Sequence, residues 1–194
     1  MSNIAFVLGN GESRKGIQIE DLKKHGTVFA CNGVYRTDRP DFLVTVDPKM
    51  MIEIAESEYI KNNKVWSNFN VQYNKHQNIL DHVKWFQPSL GWSSGPTALR
   101  MACDRKHPEI YILGFDLSTY EDTLNNIYKG TDNYLPATSK GFNSINWLNQ
   151  MKAVFQEFSD KQFYWVDRQD ENKFHFDNVK DLTKTDLCDI LHII

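Results

Sequence analysis

The stretch that decides the fold is Ile4-Ala5-Phe6-Val7-Leu8, followed directly by Gly9-Asn10-Gly11-Glu12-Ser13. A continuous apolar run of this length is typical of a strand that is buried on both faces, as in a parallel sheet. The two glycines after it predict a sharp turn, because glycine has no Cβ to obstruct one. We therefore expect a central strand that ends in a tight turn at one edge of the sheet.

Strand-like and helix-like segments alternate along the rest of the chain. Further strands are predicted at 27–31, 41–47, 109–114 and 162–166, and helices after Pro48, from Ser93 onward and over 141–159. Alternation of this kind, with nearly pure apolar strands, predicts a mostly parallel sheet covered by helices on both faces. The expected fold class is thus α/β, a Rossmann-like sheet.

The length of 194 residues predicts a single domain over 1–194. Within it, the polar and aromatic region around 61–90 is expected to be a less regular insertion. From about 168 the sequence is charged, and we expect a polar tail that packs weakly apart from residues 187–194.

Composition excludes several classes of partner. The chain has 22 Lys and Arg against 25 Asp and Glu, and this balance, with no long basic cluster, predicts no nucleic-acid binding. No stretch approaches the roughly 18 apolar residues of a membrane span. Three cysteines without a C-x-x-C pair suit a reducing compartment, so a cytoplasmic protein is expected. The six histidines show no zinc-type spacing, and no metal site is predicted from them.

Candidate site residues follow the predicted strands, since open parallel sheets bind ligands beyond the carboxyl ends of their strands. Gly9 and Gly11 would let backbone N–H groups face a bound anion, with Ser13 beside them. The spacing to Gly16 fits neither a G-x-G-x-x-G fingerprint nor a P-loop. Asn10 and Asn32 each carry an amide that can bind a base, a ribose or a phosphate.

Two further features lie at predicted strand or helix ends. Ser93, Ser94 and Gly95 open a helix, with a serine as N-cap and a helix N-terminus that attracts phosphate or carboxylate. Asp47 and Asp116 end two strands, where each could hold a metal, accept from a ribose hydroxyl, act as a base or cap the next segment.

This series of strand ends resembles two related families. The matching blocks are 7–13, 29–32, 93–95 and 109–117, with a weaker fifth match at Ser139-Lys140. In order and spacing they are similar to the bacterial sialyltransferases of glycosyltransferase family 42 and to the pterin-diphosphokinase-like Rossmann family. Frequent Asn and Lys would suit a phage or an AT-rich bacterium.

The sialyltransferase resemblance implies a site for a CMP-sugar, the donor substrate. Asn10, Asn32, Ser93, Ser94 and Gly95 would line its nucleotide. It also implies an inverting transfer without a metal, with a histidine as base and tyrosines that assist the departing phosphate.

Thr138 stands where the family has its histidine. The base would therefore have to be Asp47 or Asp116, because threonine cannot accept a proton at neutral pH. Tyr120 or Tyr128 would assist the leaving group.

Other functions stay open at this stage. The diphosphokinase resemblance implies a magnesium-dependent diphosphate transfer to a pterin-like acceptor, with Asp47 and Asp116 as metal ligands. A third possibility is a non-catalytic nucleotide-binding module that has lost the base. The aromatic residues Trp66, Trp85, Trp92, Tyr59 and Tyr73 could form a sugar-stacking wall or a homo-oligomer contact, or belong to the core.

Overall fold

The fold is a single open sheet with helices on both faces. The structure is a computed structural model and describes residues 3–117, 123–169 and 174–193. The strands are β1 (Ile4–Leu8), β2 (Thr27–Cys31), β3 (Phe42–Val44), β4 (Val65–Ser67), β5 (Lys84–Trp85), β6 (Glu109–Leu113), β7 (Gln162–Val166) and β8 (Val179–Leu182). The predicted α/β Rossmann-like class is confirmed.

The order of the strands creates a crevice beside β1. The sheet runs β5-β4-β3-β2-β1-β6-β7-β8, and every neighbouring pair is parallel. From β1 the chain builds outward to β5, and it then returns to place β6 on the other side of β1. Connections leave β1 and β6 in opposite directions, and such a switch point is where open α/β sheets bind ligands.

Each face of the sheet has its own core because side chains alternate along the strands. Phe6 and Leu8 of β1 point into one cluster, together with Leu22 and Ile54. Ala5 and Val7 point into the other cluster, and they pack there with residues such as Leu99 and Phe155. Burial on both faces explains why β1 is apolar throughout.

The helices are α1 (Ile19–His25), α2 (Pro48–Glu56), α3 (Gln77–His82), α4 (Ser94–Asp104), α5 (Ile145–Glu157) and α6 (Lys184–Leu191). Helix α2 begins at Pro48, as predicted, and Asp47 caps it. Helix α5 begins later than expected, so that Phe142 precedes it and is 46% exposed. Within the described ranges, no helix is both long and apolar enough to cross a bilayer.

Two expectations about organisation need correction. The region around 61–90 is not an insertion, because β4 and β5 extend the main sheet in register beyond β3. The segment after 168 is not a weakly packed tail. There β8 pairs with β7. Leu187 and Leu191 of α6 are buried in the core, as expected for the stretch 187–194. Lys180 and Asp181 of β8 are exposed because it is an edge strand, where side chains face solvent.

Candidate functional site

A cavity of about 660 Å³ opens at the switch point, above the carboxyl ends of β1 and β6. The ends of β1, β2 and β3, the N-terminus of α4 and two segments after β6 enclose it. Its lining comprises Gly9, Asn10, Gly11, Cys31, Asn32, Asp47, Lys49, Met50, Ser93, Ser94, Gly95, Pro96, Gly114, Phe115, Asp116, Leu117, Leu124, Asn125, Asn126, Asn133, Tyr134, Leu135, Phe142 and Trp147. Most of the predicted site residues therefore meet in one place.

The glycine turn after β1 is shaped by contact with the loop after β6. A Cβ on Gly9 would lie 2.3 Å from the carbonyl oxygen of Gly114, and one on Gly11 would lie 2.4 Å from the Cγ of Asp116. The N–H groups of Gly9 and Gly11 donate to the carbonyls of Leu113 and Gly114, both at 2.8 Å. The N–H groups of Gly9 and Gly11 therefore join two strand ends and are not themselves free to bind an anion.

The carboxylate of Asp116 lies against this turn, where a bound anion was expected. The carboxylate is buried and accepts hydrogen bonds from the backbone N–H of Ser13, at 3.0 Å, and from the Ser13 hydroxyl. Ser13 is turned toward Asp116 and is not among the residues that line the cavity. Of the pair, only Asp116 can reach a ligand.

Asn10 and Asn32 form the polar floor of the cavity. The amide nitrogen Nδ2 of Asn10 donates to the hydroxyl of Tyr134 at 3.0 Å. The Oδ1 atoms of Asn10 and Asn32 are both shielded from water and accept no hydrogen bond within the described ranges. Asn32 has a positive φ of 51°, which asparagine tolerates better than most residues. Unsatisfied acceptors on residues that line a cavity are the kind of group that a ligand donor satisfies.

Tyr134 is a site residue that sequence reasoning missed. Its hydroxyl accepts from Asn10 and from the backbone N–H of Gly33, at 2.9 Å, so its own proton is left for another acceptor. Burial raises the pKa of this hydroxyl, which stays neutral at physiological pH. No local pattern marks Tyr134, because its partners are more than a hundred residues away.

An ion pair holds the segment that carries Tyr134. Arg36 pairs with Glu53 at 2.5 Å and donates to the Thr131 hydroxyl at 2.6 Å and to the Asp132 carbonyl at 2.7 Å. Asn133 Nδ2 donates to the same Glu53 at 2.6 Å. Desolvation acts against the charge, yet hydrogen bonds from Tyr35, Asn133 and Arg36 leave the pKa of Glu53 lowered.

The N-terminus of α4 faces the cavity from the opposite side. Ser93 is the N-cap residue, as predicted for a serine at this helix start, although its side chain makes no capping hydrogen bond. Its N–H donates to Gln150 Oε1 at 3.0 Å, and the Ser94 hydroxyl accepts from the N–H of Val46 at 3.0 Å. The N–H groups of Ser94 and Gly95 have no partner in the described part of the chain and belong to the free first turn. They carry partial positive charge, which favours an anion.

Asp47 and Lys49 stand at the exposed rim. Asp47 Oδ1 accepts from the N–H groups of Lys49 and Met50, at 2.8 and 3.3 Å, so Asp47 is a helix cap. Its Oδ2 makes no hydrogen bond to the described residues. Lys49 lines the cavity and forms no ion pair with a described residue. It is a cation at the site that was not predicted from the sequence.

The two predicted tyrosines are not part of this lining. Tyr120 lies outside the described residues. Tyr128 is buried away from the cavity, where its hydroxyl lies 3.3 Å from both Arg14 Nη2 and Thr37 Oγ1. Tyr134, six positions further on, is the tyrosine that reaches the site.

The far wall of the cavity is apolar. Leu135 and Phe142 are 43% and 46% exposed, and Phe142 stands edge-on to Trp147 with ring centroids 6.1 Å apart. Trp66, Trp85, Trp92, Tyr59 and Tyr73 do not line the cavity, and they pack with the two cores. The aromatic side chains that line the described part of the cavity, apart from Phe115 and Tyr134, are therefore Phe142 and Trp147.

The side chains of the cavity set limits on its chemistry. None of the six histidines lines it. Burial raises the pKa of the Cys31 thiol to about 12, so this group is not a nucleophile at neutral pH. Over the described ranges, no three or more His, Cys, Asp or Glu side chains cluster as metal ligands would. Among the described residues that line the cavity, Asp47 and Asp116 are the carboxylates.

The fold and the place of the cavity define the class: an open parallel α/β sheet with a ligand crevice at its switch point. No family model matches the chain, and no curated protein does. Among solved structures, the chain is similar to the MAf glycosyltransferase from Magnetospirillum magneticum AMB-1, with 13% identity and a TM-score of 0.56. The match covers 94% of this chain but 34% of that one, so this chain spans about a third of the length of its structural relative. At this identity the likeness shows a common fold.

Proposed function

We propose that this protein is a glycosyltransferase-like protein that binds a nucleotide-sugar of the CMP-sugar type in the switch-point cavity and transfers the sugar. The observation that carries the proposal is the pairing of two unsatisfied amide acceptors, Asn10 Oδ1 and Asn32 Oδ1, with the free N–H groups of α4 across the cavity. A nucleotide offers complementary groups, because its ribose and base carry donors and its phosphate is an anion.

The residues of the cavity divide among the parts of such a donor. Asn10 and Asn32 would accept from the base or the ribose, and the N–H groups of Ser94 and Gly95 would donate to the phosphate. Lys49 would supply a counter-charge at the rim. The apolar wall formed by Phe142 and Trp147 suits a sugar ring, which presents C–H groups on its faces.

Transfer would be a displacement at the anomeric carbon. The acceptor oxygen forms a bond to that carbon while the bond to the phosphate oxygen breaks, so the nucleotide monophosphate leaves with the electron pair. Asp47, which has an uncommitted oxygen at the rim, is placed to take the acceptor proton, and Asp116 is the second candidate. Tyr134, kept neutral by its raised pKa, would donate its hydrogen bond to the departing phosphate.

A thermal-unfolding screen tests the proposal. Mono- and diphosphates of cytidine, uridine, adenosine and guanosine are compared with and without magnesium. A ligand at about a hundred times its Kd adds about 2.7 kcal/mol, which should raise Tm by about 5–10 °C for a domain of this size.

Each outcome of the screen points to one function. A metal-free shift confined to cytidine nucleotides is expected. A shift that requires magnesium with adenosine nucleotides would instead support diphosphate transfer through Asp47 and Asp116. No shift with any nucleotide would contradict the donor site.

Asn32→Gly should weaken binding of CMP by about 1–3 kcal/mol, because it removes one buried polar partner while glycine keeps the positive φ. The matched control is His192→Gly, at another left-handed residue with a φ of 53°, whose side chain is exposed and does not line the cavity. Calorimetric titration of both variants measures the difference. Equal affinities for CMP in Asn32→Gly and the unmodified protein would remove Asn32 from the site.

A further inference from the structure

Arg14 is a buried cation that has no counter-ion among the described residues. Its side chain is 7% exposed, and it forms no ion pair with any residue that the structure describes. Its Nε donates to the carbonyl of Gly9 at 2.7 Å and its Nη2 to the hydroxyl of Tyr128 at 3.3 Å, and both of these acceptors are neutral. The carboxylate of the same loop, Asp116, is hydrogen-bonded to Ser13 and lies beyond ion-pair distance of Arg14.

This guanidinium lies directly behind the floor of the cavity. Gly9, whose carbonyl it holds, lines the cavity. Gly114 also lines it, and a Cβ built on Gly114 would lie 3.0 Å from Arg14 Cδ. Arg14 is therefore packed against two of the backbone segments that separate it from a bound ligand.

A charge in this position is costly unless something compensates it. Removing an unpaired ion from water destabilises a protein by several kcal/mol, and buried charges are normally paired. Hydrogen bonds to Gly9 and Tyr128 satisfy part of the guanidinium but leave its charge in place. The adjoining cavity is the nearby space in which a compensating anion can be held.

We propose that Arg14 makes the switch-point cavity selective for anionic ligands, acting through the Gly9 turn as a fixed positive charge beside the cavity that adds to the positive end of α4. The inference rests on the proposed function, since it assigns the charge of the ligand that the same cavity takes. Arg14 is thus a positioning residue: it holds the turn and sets the potential of the floor without touching the ligand.

The experiment compares ligands that differ in charge. Calorimetric titrations use cytidine, CMP and inorganic pyrophosphate with the unmodified protein, Arg14→Gln and Arg14→Lys. A unit charge that acts across about 12 Å at an effective dielectric constant of about 20 changes an affinity about tenfold. Arg14→Gln should therefore weaken CMP by at least about tenfold, weaken pyrophosphate more because it carries more negative charge, and leave cytidine within about twofold, whereas Arg14→Lys should keep most of the affinity.

Lys64→Gln is the matched control. It also removes one positive charge, but from an exposed side chain before β4, at the opposite edge of the sheet. It should leave all three affinities unchanged. If Arg14→Gln fails to fold, the Nε–H resonance of Arg14 in the unmodified protein gives the same information, because it should shift with pyrophosphate and stay in place with cytidine.

The outcomes separate this inference from the donor site. If Arg14→Gln weakens cytidine and CMP equally, or weakens neither, the role of Arg14 is overturned, whereas the proposal that the unmodified protein binds CMP stands. Binding of pyrophosphate that depends on Arg14, without binding of any cytidine nucleotide, would support Arg14 and contradict the CMP-sugar proposal. If the unmodified protein binds no anion, both are overturned.

Discussion

Replacing Gly9 with alanine should lower the free energy of unfolding by about 3 kcal/mol, the upper end for overpacking of a close-packed interior. The new Cβ would lie 2.3 Å from the Gly114 carbonyl oxygen, and a backbone atom cannot rotate away as a side chain can. Relief requires the ends of β1 and β6 to separate. That would break the hydrogen bonds from Gly9 to Leu113 and from Gly11 to Gly114. Chemical denaturation measures the loss directly.

Gly16→Ala is the matched control. It distinguishes the contact between Gly9 and Gly114 from the general effect of adding a methyl group to the same loop. Gly16 has a φ of +89° and no atom within 4 Å of a new Cβ. Its replacement should cost about 1–2 kcal/mol from backbone strain alone. A loss for Gly9→Ala no larger than that for Gly16→Ala would show that the two strand ends are not in close contact.

The same turn shows how far sequence alone could go. The apolar run of β1 and the glycines after it predicted the central strand and the position of the cavity, because burial on both faces leaves a strong local signal. The partner of the glycines was not predictable. Gly9 and Gly11 face Gly114 and Asp116, about a hundred residues away, so a pattern that suits an anion-binding turn serves to pack two strand ends.

Tyr134 illustrates the other limit. It lies in an irregular segment that the Arg36–Glu53 pair fixes, and neither periodicity nor a motif marks such a segment. Under the family resemblance, Tyr128 was predicted to assist the leaving group because it lies soon after Asp116 in the chain. Proximity in the chain does not determine which hydroxyl reaches a cavity. Strand β8 was not predicted from the sequence for a different reason. Its polar residues suit an edge strand, and hydrophobic periodicity is weak where only part of a strand is buried.

Alkaline pH should unfold this protein over a narrow range. Burial raises the pKa values of the Cys31 thiol and of the Tyr35 and Tyr59 hydroxyls to about 12, from ordinary values of 9.0 for cysteine and 10.0 for tyrosine. A raised pKa in the folded state means that the unfolded chain loses its proton first. The free energy of unfolding is therefore not reduced by these groups below about pH 9, and it falls as the pH rises toward 12.

The expected loss is large against the whole stability of a domain. A fully buried group that stays protonated only in the folded state, such as Cys31, removes about 1.4 kcal/mol per pH unit. Tyr35 and Tyr59 are partly screened by solvent and should each remove less, so the three together remove about 2–3 kcal/mol per unit above pH 10. A typical domain has about 5–15 kcal/mol in total. Denaturant titrations at pH 8, 10 and 11 should show this steep decline, and a stability that stays level up to pH 11 would contradict the raised pKa values.

Tyr59→Phe and Tyr35→Phe form a matched pair that assigns the effect. The Tyr59 hydroxyl is buried and has no hydrogen-bond partner within the described ranges, so its removal should raise the stability at pH 7 by about 1 kcal/mol. The Tyr35 hydroxyl donates to Glu53, so its removal should lower the stability at pH 7 by about 1–2 kcal/mol. Above pH 10 both variants should lose stability less steeply than the unmodified protein, because each has one fewer buried group to ionise. The two variants should change the stability at pH 7 in opposite directions and reduce its pH dependence above pH 10 by the same amount. That result would show that ionisation, and not the hydrogen bond to Glu53, causes the alkaline unfolding.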